Sequence, residues 1–367
     1  MRKLSFLAGV VAVTACVSTT YNAPLSLTPP IRTVDDSGVA APTRTLEVDA
    51  EKHQIEIVAG PFTIPAVHSM DPQRGEHQHF EGMKSPLIPI NWPVDGGMAG
   101  FRMAVYKGDG TPLPRDVMHH AIAVNFDRRQ LVYPVAERLF GFGTETPDIR
   151  LPDFLEVPLE RGDSIGFYAM WNNTTGEPLE DIYLQLVIPY AAPGREREAA
   201  MPFYVDTNNN VGGETSFDLP PGISEHAWEF EMPIDGGLLA ASGHLHDYGV
   251  ELRLEEVETG RALTTLRAER DPGGRVEGVE QKIYRRFFKL LDARIEFEAG
   301  KRYRVVGVYD NPTGEVIFDG GMAHIVGLFA PRDPSAWPEV DPTDEMYQRD
   351  VAALPLPLDV DSHAHHD

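Results

Sequence analysis

Cysteine is almost absent from this chain, since Cys16 is the only cysteine among its 367 residues. A single thiol excludes disulfides within the chain, so the folded part depends on its hydrophobic core, which this length can supply over two domains. Basic residues are also scarce, with 32 lysines and arginines against 56 acidic residues and a net charge of -24. Nucleic-acid binding needs concentrated positive charge, so we expect no nucleic-acid partner.

The first sixteen residues have the form of an export signal. Two basic residues precede an apolar stretch over 4–15, which is too short to span a bilayer stably. Residues 13–16, Val-Thr-Ala-Cys, have the form of a bacterial lipobox, which implies cleavage before Cys16 and a lipid anchor on its sulfur. Because Val17 follows rather than aspartate, we expect a bacterial lipoprotein on the periplasmic or cell-surface face, anchored to the outer membrane.

Short apolar or alternating runs, separated by turn dipeptides, dominate the chain after a Ser/Thr/Pro-rich stretch that suits a flexible tether. Such runs are typical of strands, so the pattern predicts an all-β sandwich that begins near Leu46. A helix is indicated only weakly, over Val279–Asp292. The predicted strands are Gln54–Val58, Phe101–Tyr106, Ala121–Phe126, Ile182–Ile188, Trp228–Met232, Val250–Val257 and Arg302–Val308.

Two motifs occur twice in the chain. Trp92–Met98 (WPVDGGM) reappears as Met232–Leu238 (MPIDGGL), and Trp171–Glu177 (WNNTTGE) reappears as Tyr309–Glu315 (YDNPTGE). An internal repeat of this kind indicates two related β-domains in tandem. The expected organisation is a signal peptide over 1–15, a tether over 16–45, domains over 46–196 and 197–333, and a tail over 334–367.

Three short motifs combine histidine with methionine: His119-His120 after Met118, His244-Leu245-His246 after a glycine, and Met322 after two glycines. Residues two apart on a strand project from the same face, so His244 and His246 can share one ion. Imidazole together with a thioether is a ligand set that suits copper. The motifs predict a copper site, with hydrogen-bonded histidines and a core-filling methionine as the alternative.

In this order and repeat context, the motifs resemble the copper type II ascorbate-dependent monooxygenases, the family of peptidylglycine α-hydroxylating monooxygenase and dopamine β-monooxygenase. The resemblance covers residues 46–333. It implies two tandem jelly-roll β-sandwich domains and up to two copper ions. It also implies that His244, His246 and Met322 hold the oxygen-binding, catalytic copper, while His119 and His120 hold the electron-transfer copper.

One ligand of the family has no counterpart, because no histidine lies between His120 and His226. His68, or His77 and His79, could fold over the first site and complete it, although solvated loop histidines are the alternative. Adjacent strand residues such as His119 and His120 point to opposite faces unless a bulge or a twist turns both inward, and a structural role for one of them is the alternative.

Two further groups of histidines could bind metal, but each also has an explanation without metal. His324 stands two residues after Met322 and could act as an extra ligand or as a satisfied core histidine. The C-terminal histidines, from His363 onward, could bind copper or zinc, or could belong to an exposed tail.

Three functions follow as hypotheses. The first is a copper-dependent monooxygenase that hydroxylates a C–H bond of a small-molecule or peptide substrate, using O2 and a reductant such as ascorbate. The second is a copper-binding exported lipoprotein that shares the fold without the two-centre chemistry. The third is a β-sandwich that acts on carbohydrate or glycoprotein, whose mark would be a pair of carboxylates in a cleft.

Overall fold

The computed structural model describes residues 41–66, 84–143, 148–192, 194–209, 215–284 and 294–358. Several predicted features lie outside these residues: the signal peptide, Cys16 with its predicted lipid anchor, the loop histidines His68, His77 and His79, and the histidines of the C-terminal tail. No helix among the described residues is long and apolar enough to cross a membrane.

The protein is nearly all β, as the sequence pattern predicts. The described residues contain one α-helix, α1 at Glu345–Ala352, and two short 3-10 helices at Arg115–Val117 and Pro334–Ala336. The strands are β1 Thr43–Asp49, β2 Gln54–Ile64, β3 Ile88–Asn91, β4 Gly100–Lys107, β5 Met118–Arg129, β6 Ala136–Gly143, β7 Ile149–Arg150, β8 Leu155–Glu156, β9 Ser164–Trp171, β10 Leu179–Pro189, β11 Glu198–Ala199, β12 Met201–Asp206, β13 Phe217–Leu219, β14 Gly222–Glu231, β15 Gly236–Leu245, β16 Gly249–Glu256, β17 Arg261–Arg270, β18 Val276–Val279, β19 Lys282–Ile283, β20 Ile295–Phe297, β21 Arg302–Asn311, β22 Ile317–Gly321 and β23 Ala323–Pro331.

Each of the seven predicted strands overlaps a strand of the structure. The weak helix prediction over Val279–Asp292 is wrong for its described part, because Val279 ends β18 and residues 282–283 form β19. The first strand begins at Thr43, three residues before the predicted start of the fold.

The N-terminal half encloses a first hydrophobic core between two antiparallel sheets. One sheet has the order β1-β2-β10-β4-β7 and the other the order β3-β9-β5-β6. Alternate residues of each strand point inward, as in Ile55, Ile57 and Ala59 of β2, which are all 0% exposed. This period of two is the physical reason that the alternating runs of the sequence form strands.

The C-terminal half encloses a second core in the same way. One sheet has the order β14-β21-β16-β17-β18, and the other has the order β12-β23-β15-β19 with β20 also paired to β15. The inward side chains include Leu252 and Leu254 of β16, which face Ile325 of β23 in the same cluster. Because the core of each half lies between its two sheets, the opposite face of each sheet points away from that core.

The repeated turn motif folds in the same way in both halves. The side-chain amide of Asn173 donates to the carbonyl of Glu177 at 2.8 Å, and Asn311 donates to Glu315 at the same distance. The side-chain oxygen of each asparagine accepts from the backbone two residues later at 3.1 Å. These bonds close the turn, which explains why this motif recurs.

Tyr133 joins the two halves. It lies in the connection between β5 and β6 of the first half and is 1% exposed. Its ring stacks on Trp228 of the second half with a centroid distance of 4.9 Å. Its hydroxyl accepts from the backbone N–H of Asp206 at 2.7 Å and donates to the carbonyl of the same residue at 3.3 Å. The halves are thus fastened beside Asp206.

The C-terminal strap, residues 333–358, returns to the first half. The buried carboxylate of Asp350 in α1 accepts two hydrogen bonds from Arg138, at 2.5 and 2.6 Å, and one from the backbone of Ala136 at 3.2 Å. Leu358 donates from its backbone to the carbonyl of Leu87 at 2.7 Å and belongs to the first core. Tyr347 and Leu354 of the strap pack with Val124 and Tyr168, which are not part of the first core, so the strap covers the outer face of the β3-β9-β5-β6 sheet.

Candidate metal centre

A bulge directs both histidines of the His119-His120 pair toward one side of their sheet. On β5, Met118 is opposite Trp171 of β9, but His120 is opposite Met170, so His119 is the extra residue. The two imidazole centroids are 4.0 Å apart. The sequence required a bulge or a twist at this pair if both histidines were to share a face, and the structure has a bulge there.

In the C-terminal half, three polar residues form one row across three neighbouring strands. His324 of β23 is directly opposite His244 of β15 on one side and Asp206 of β12 on the other. Directly opposite residues of antiparallel strands share a face. The neighbours Leu245 and Ala323 point into the second core, so this row lies on the outer face.

Met322 and His246 form the next row. The backbone N–H of His246 donates to the carbonyl of Met322 at 3.3 Å, which continues the β15–β23 register by one residue. The predicted ligands His244, His246 and Met322 therefore lie together, and His324 lies with them. His246 and Met322 are 7% and 6% exposed, whereas His244 is half-buried.

The histidines of the two halves meet. The imidazole centroid of His244 is 5.8 Å from that of His120 in the first half. It is 5.3 Å from the centroid of His246 and also 5.3 Å from that of His324. The sequence predicted two separate centres, one in each half. The structure instead gathers the five histidines into a single group, named here the histidine patch: His119, His120, His244, His246 and His324.

Asp206 gives this patch a buried negative group. Its Oδ2 is 3.7 Å from Nδ1 of His324, and it accepts hydrogen bonds from the hydroxyl of Tyr204 at 2.8 Å and the backbone of Asn208 at 2.7 Å. Burial raises the pKa of Asp206 to about 6, while those hydrogen bonds and the nearby His244 act to lower it. The carboxyl is thus mostly ionised at neutral pH and favours a cation beside it.

Tyr309 supports the patch from the core side. Its hydroxyl accepts from the backbone N–H of Met322 at 3.1 Å and donates to the carbonyl of Met322. Burial raises the pKa of Tyr309, although backbone hydrogen bonds of Met322 and His246 act to lower it, so the phenol keeps its proton. The Met322 thioether itself is 3.9 Å from the hydroxyl of Thr215.

The patch is not a preformed metal cage. Among the described residues, no group of three or more His, Cys, Asp or Glu side chains stands in an arrangement that could hold a metal ion. The sequence pointed to four of the five histidines as candidate ligands and favoured a core role for His324 at least as much as a ligand role, but it gave no signal for Asp206 or Tyr309. The strand pairing reveals Asp206 opposite His324, and the hydrogen bonds to the backbone of Met322 reveal Tyr309.

A separate cleft of about 560 Å³ lies at the start of β15. It is lined by Gly236 and Gly237, by the carboxylates of Asp235, Glu296 and Glu298, and by the guanidinium groups of Arg294 and Arg332. Asp235 is 2.9 Å from Arg332, and Glu296 is 3.8 Å from the same arginine. The cleft has the carboxylates that the carbohydrate hypothesis requires, but arginines pair with two of them.

No family model matches the sequence, and no curated protein matches it. Among solved structures, the chain resembles PNGase F, a glycosylasparaginase from Flavobacterium meningosepticum, with a TM-score of 0.39, 7% identity, and coverage of 80% of this chain and 96% of that one. The major capsid protein P2 of bacteriophage PM2 has a TM-score of 0.32, 9% identity, and coverage of 74% and 97%. Likeness at this level assigns no activity to the chain.

The predicted membership of the copper type II ascorbate-dependent monooxygenases is wrong. Three of the solved structures that the chain resembles are PNGase F, and neither PNGase F nor the capsid protein is a copper monooxygenase. The predictions of C–H hydroxylation and of an oxidoreductase depended on that family, so they are wrong as well. The alternative of a copper lipoprotein with the monooxygenase fold also loses its support. The physical reason is that short His and Met motifs recur on unrelated β-sheets, so their order alone does not identify a family.

Proposed function

We propose that the histidine patch binds one transition-metal ion where the two halves of the chain meet. The observation that carries the proposal is the spacing of the imidazoles. In a tetrahedral site with metal–nitrogen bonds of about 2 Å, ring centroids stand about 5 Å apart. The centroid distances of 5.3 Å from His244 to His246 and to His324, and of 5.8 Å to His120, are close to that spacing.

In the proposed site, rotation of the rings directs these imidazoles at one ion, since the described side chains do not form a ready metal site. The χ2 torsion of histidine is broad, so the ring turns at little energetic cost. His119 and His120, with centroids 4.0 Å apart, are too close for both rings to bind the same ion without a larger movement. We therefore assign His120, His244, His246 and His324 as the imidazole ligands, with His119 beside them.

Copper is the ion that we propose for the patch. Imidazole nitrogens bind copper and zinc alike, but a neighbouring thioether such as Met322 favours Cu(I). The ionised Asp206 near His324 adds attraction for a cation and can orient that imidazole. The half-buried exposure of His120 and His244 leaves the ion accessible to a small-molecule or peptide ligand.

Metal stoichiometry tests this function. The full chain, with His363, His365 and His366 changed to Asn so that the tail cannot bind metal, is dialysed against Cu²⁺ or Zn²⁺ and its bound metal is measured. We expect one ion per chain, and a loss of affinity of at least about 100-fold in His244→Ala, because His244 is the ring that contacts both halves.

His53→Asn is the matched control. His53 packs on Tyr190 in the first half, away from the patch, and its positive φ of 51° suits asparagine. Its metal binding should equal that of the parent chain. Absence of bound metal from the parent chain, or equal binding by His244→Ala, would contradict the proposal.

A second candidate function is action on a glycan or glycoprotein in the cleft beside Gly236 and Gly237. The observation in its favour is the set of Asp235, Glu296 and Glu298 in one concave site. Paired carboxylates are the usual machinery of glycan hydrolysis. If the chain binds no metal in the dialysis experiment but releases glycan from an N-linked glycopeptide, this second function replaces the first.

We further propose that the two halves, over residues 46–196 and 197–333, are tandem jelly rolls. Each half places a core between two sheets, and each closes the same asparagine turn. These shared features support a common architecture for the halves. A structure of either half at atomic resolution would test the connectivity.

We also propose that the chain is a lipoprotein held at a bacterial outer membrane through Cys16. The lipobox-like residues 13–16 support this location. In bacterial cells, Cys16→Ser should move the protein from the membrane fraction to the soluble fraction, because one thioether-linked lipid is lost. Equal membrane recovery of Cys16→Ser and the parent chain would contradict lipid anchoring. A Val17→Ala variant serves as the control and should stay in the membrane fraction.

A further inference from the structure

Met322 occupies a corner of the backbone. It lies between the end of β22 at Gly321 and the start of β23 at Ala323, and those strands belong to different sheets. At this corner the β15–β23 ladder reaches Met322 only through its carbonyl, which accepts from the backbone N–H of His246 at 3.3 Å. The side-chain direction of Met322 therefore depends on that single ladder bond and on the other groups that bind its backbone N–H and C=O.

Tyr309 fixes both groups. The phenol, 0% exposed, accepts from the N–H of Met322 at 3.1 Å and donates to its carbonyl. A phenol can do this because its hydroxyl is one donor and also an acceptor. The ring is held in turn by Phe217, edge-on with centroids 5.7 Å apart.

The internal repeat shows that this phenol is specific to the second half. Tyr309 and Trp171 occupy the same position of the repeated turn motif. Trp171 is also buried, but an indole N–H is a donor only and cannot accept a backbone N–H. The half that has the thioether is therefore the half that has the hydroxyl to fix it.

We infer that Tyr309 is a positioning residue that holds the Met322 thioether at the metal of the histidine patch. The inference rests on the proposed metal-binding function. Tyr309 contacts no ion; it fixes the backbone of Met322 beside His246. It thereby sets the preference of the patch for thioether-seeking ions over ions that bind imidazole alone.

A comparison of Ag⁺ and Zn²⁺ affinities distinguishes positioning of the Met322 thioether from a general structural role of Tyr309. Ag⁺ seeks a thioether, whereas Zn²⁺ can be held by the imidazoles alone. In the full chain with the tail histidines changed to Asn, Tyr309→Phe should lower Ag⁺ affinity by about tenfold and leave Zn²⁺ affinity within about twofold. Met322→Leu should show the same pattern, and the double variant should lose no more than Met322→Leu alone.

Tyr303→Phe is the matched control, since it removes another buried phenol on the same strand. That hydroxyl accepts from the backbone of Glu298 at 3.1 Å, away from the patch. Tyr303→Phe should change neither affinity. Equal losses of Ag⁺ and Zn²⁺ affinity in Tyr309→Phe, or additive losses in the double variant, would overturn the positioning role.

A measurement on the unmutated residues keeps the test valid if Tyr309→Phe fails to fold. With ¹³C-methyl methionine, the Met322 signal should shift on addition of Ag⁺, whereas an unmoved signal would overturn the inference. If the parent chain binds neither ion, the proposed function fails and this inference fails with it. If it binds both ions and Tyr309→Phe matches it, only this inference fails.

Discussion

Asp350→Asn should lower the free energy of unfolding by about 3–5 kcal/mol, the usual cost of removing one partner of a buried ion pair. Asp350 is 0% exposed and accepts two hydrogen bonds from Arg138. Burial alone would lower the pKa of Arg138, but the Asp350 carboxylate raises it above the usual value, so the guanidinium stays charged. Asparagine keeps the shape and removes the charge, which leaves that guanidinium without its counter-ion. Urea denaturation, with far-UV circular dichroism as the signal, measures the change.

The exposed pair of Asp95 and Arg161 gives the comparison. These side chains are 79% and 58% exposed, and their closest approach is 3.1 Å. Solvent screens such a pair, so Asp95→Asn should change the free energy of unfolding by no more than about 1 kcal/mol. Similar losses in the two variants would show that burial of the Asp350 pair contributes nothing extra.

Gly243→Ala should both destabilise the chain and weaken metal binding by the patch. A Cβ at residue 243 would overlap the side chain of Leu252 and the carbonyl oxygen of His324. One of these contacts is with backbone, so β15 and β23 must move apart where His244 faces His324. We expect a loss of stability of about 1–3 kcal/mol, as for other overpacked sites. Metal affinity should fall by at least about tenfold, because the two imidazoles separate. Both are measured on the same preparation, by urea denaturation and by zinc titration.

Gly141→Ala is the control for a strand glycine. Gly141 lies within β6, and a Cβ there would meet no atom within 4 Å. The substitution should leave metal affinity unchanged and should not lower stability, because alanine restricts the unfolded chain more than glycine does. Equal stability and equal metal affinity in Gly243→Ala and Gly141→Ala would show that metal binding by the patch does not depend on the close approach of β15 and β23.

The strands were predictable from the sequence because a sheet with one buried face imposes a period of two. Val250–Val257 and Ile182–Ile188 show that local signal; the first run overlaps β16 and the second lies within β10. The His244-Leu245-His246 spacing was equally informative, because the outward face of β15 is a local property of alternation. Even so, β15 ends at Leu245, so His246 keeps its place through its backbone bond to Met322.

The assembly of the patch could not be predicted from the sequence. His120 and His244 meet only because the two halves dock, and that docking depends on contacts such as Tyr133 with Asp206. Asp206 faces His324 through a strand pairing between residues more than a hundred positions apart. Neither relation leaves a local pattern. The family resemblance failed for the same reason, since motif order says little about how two sheets meet.

The C-terminal strap affects the order in which the protein can fold. Leu358 packs into the first core, and Asp350 pairs with Arg138, so the earliest part of the fold waits for residues near the end of the chain. A chain that emerges from its N-terminus exposes apolar surface of the first half until the strap arrives. Such long-range closure slows folding. Slow folding would serve the proposed export of the chain, because a polypeptide that is threaded through an export channel has to remain unfolded until it has crossed.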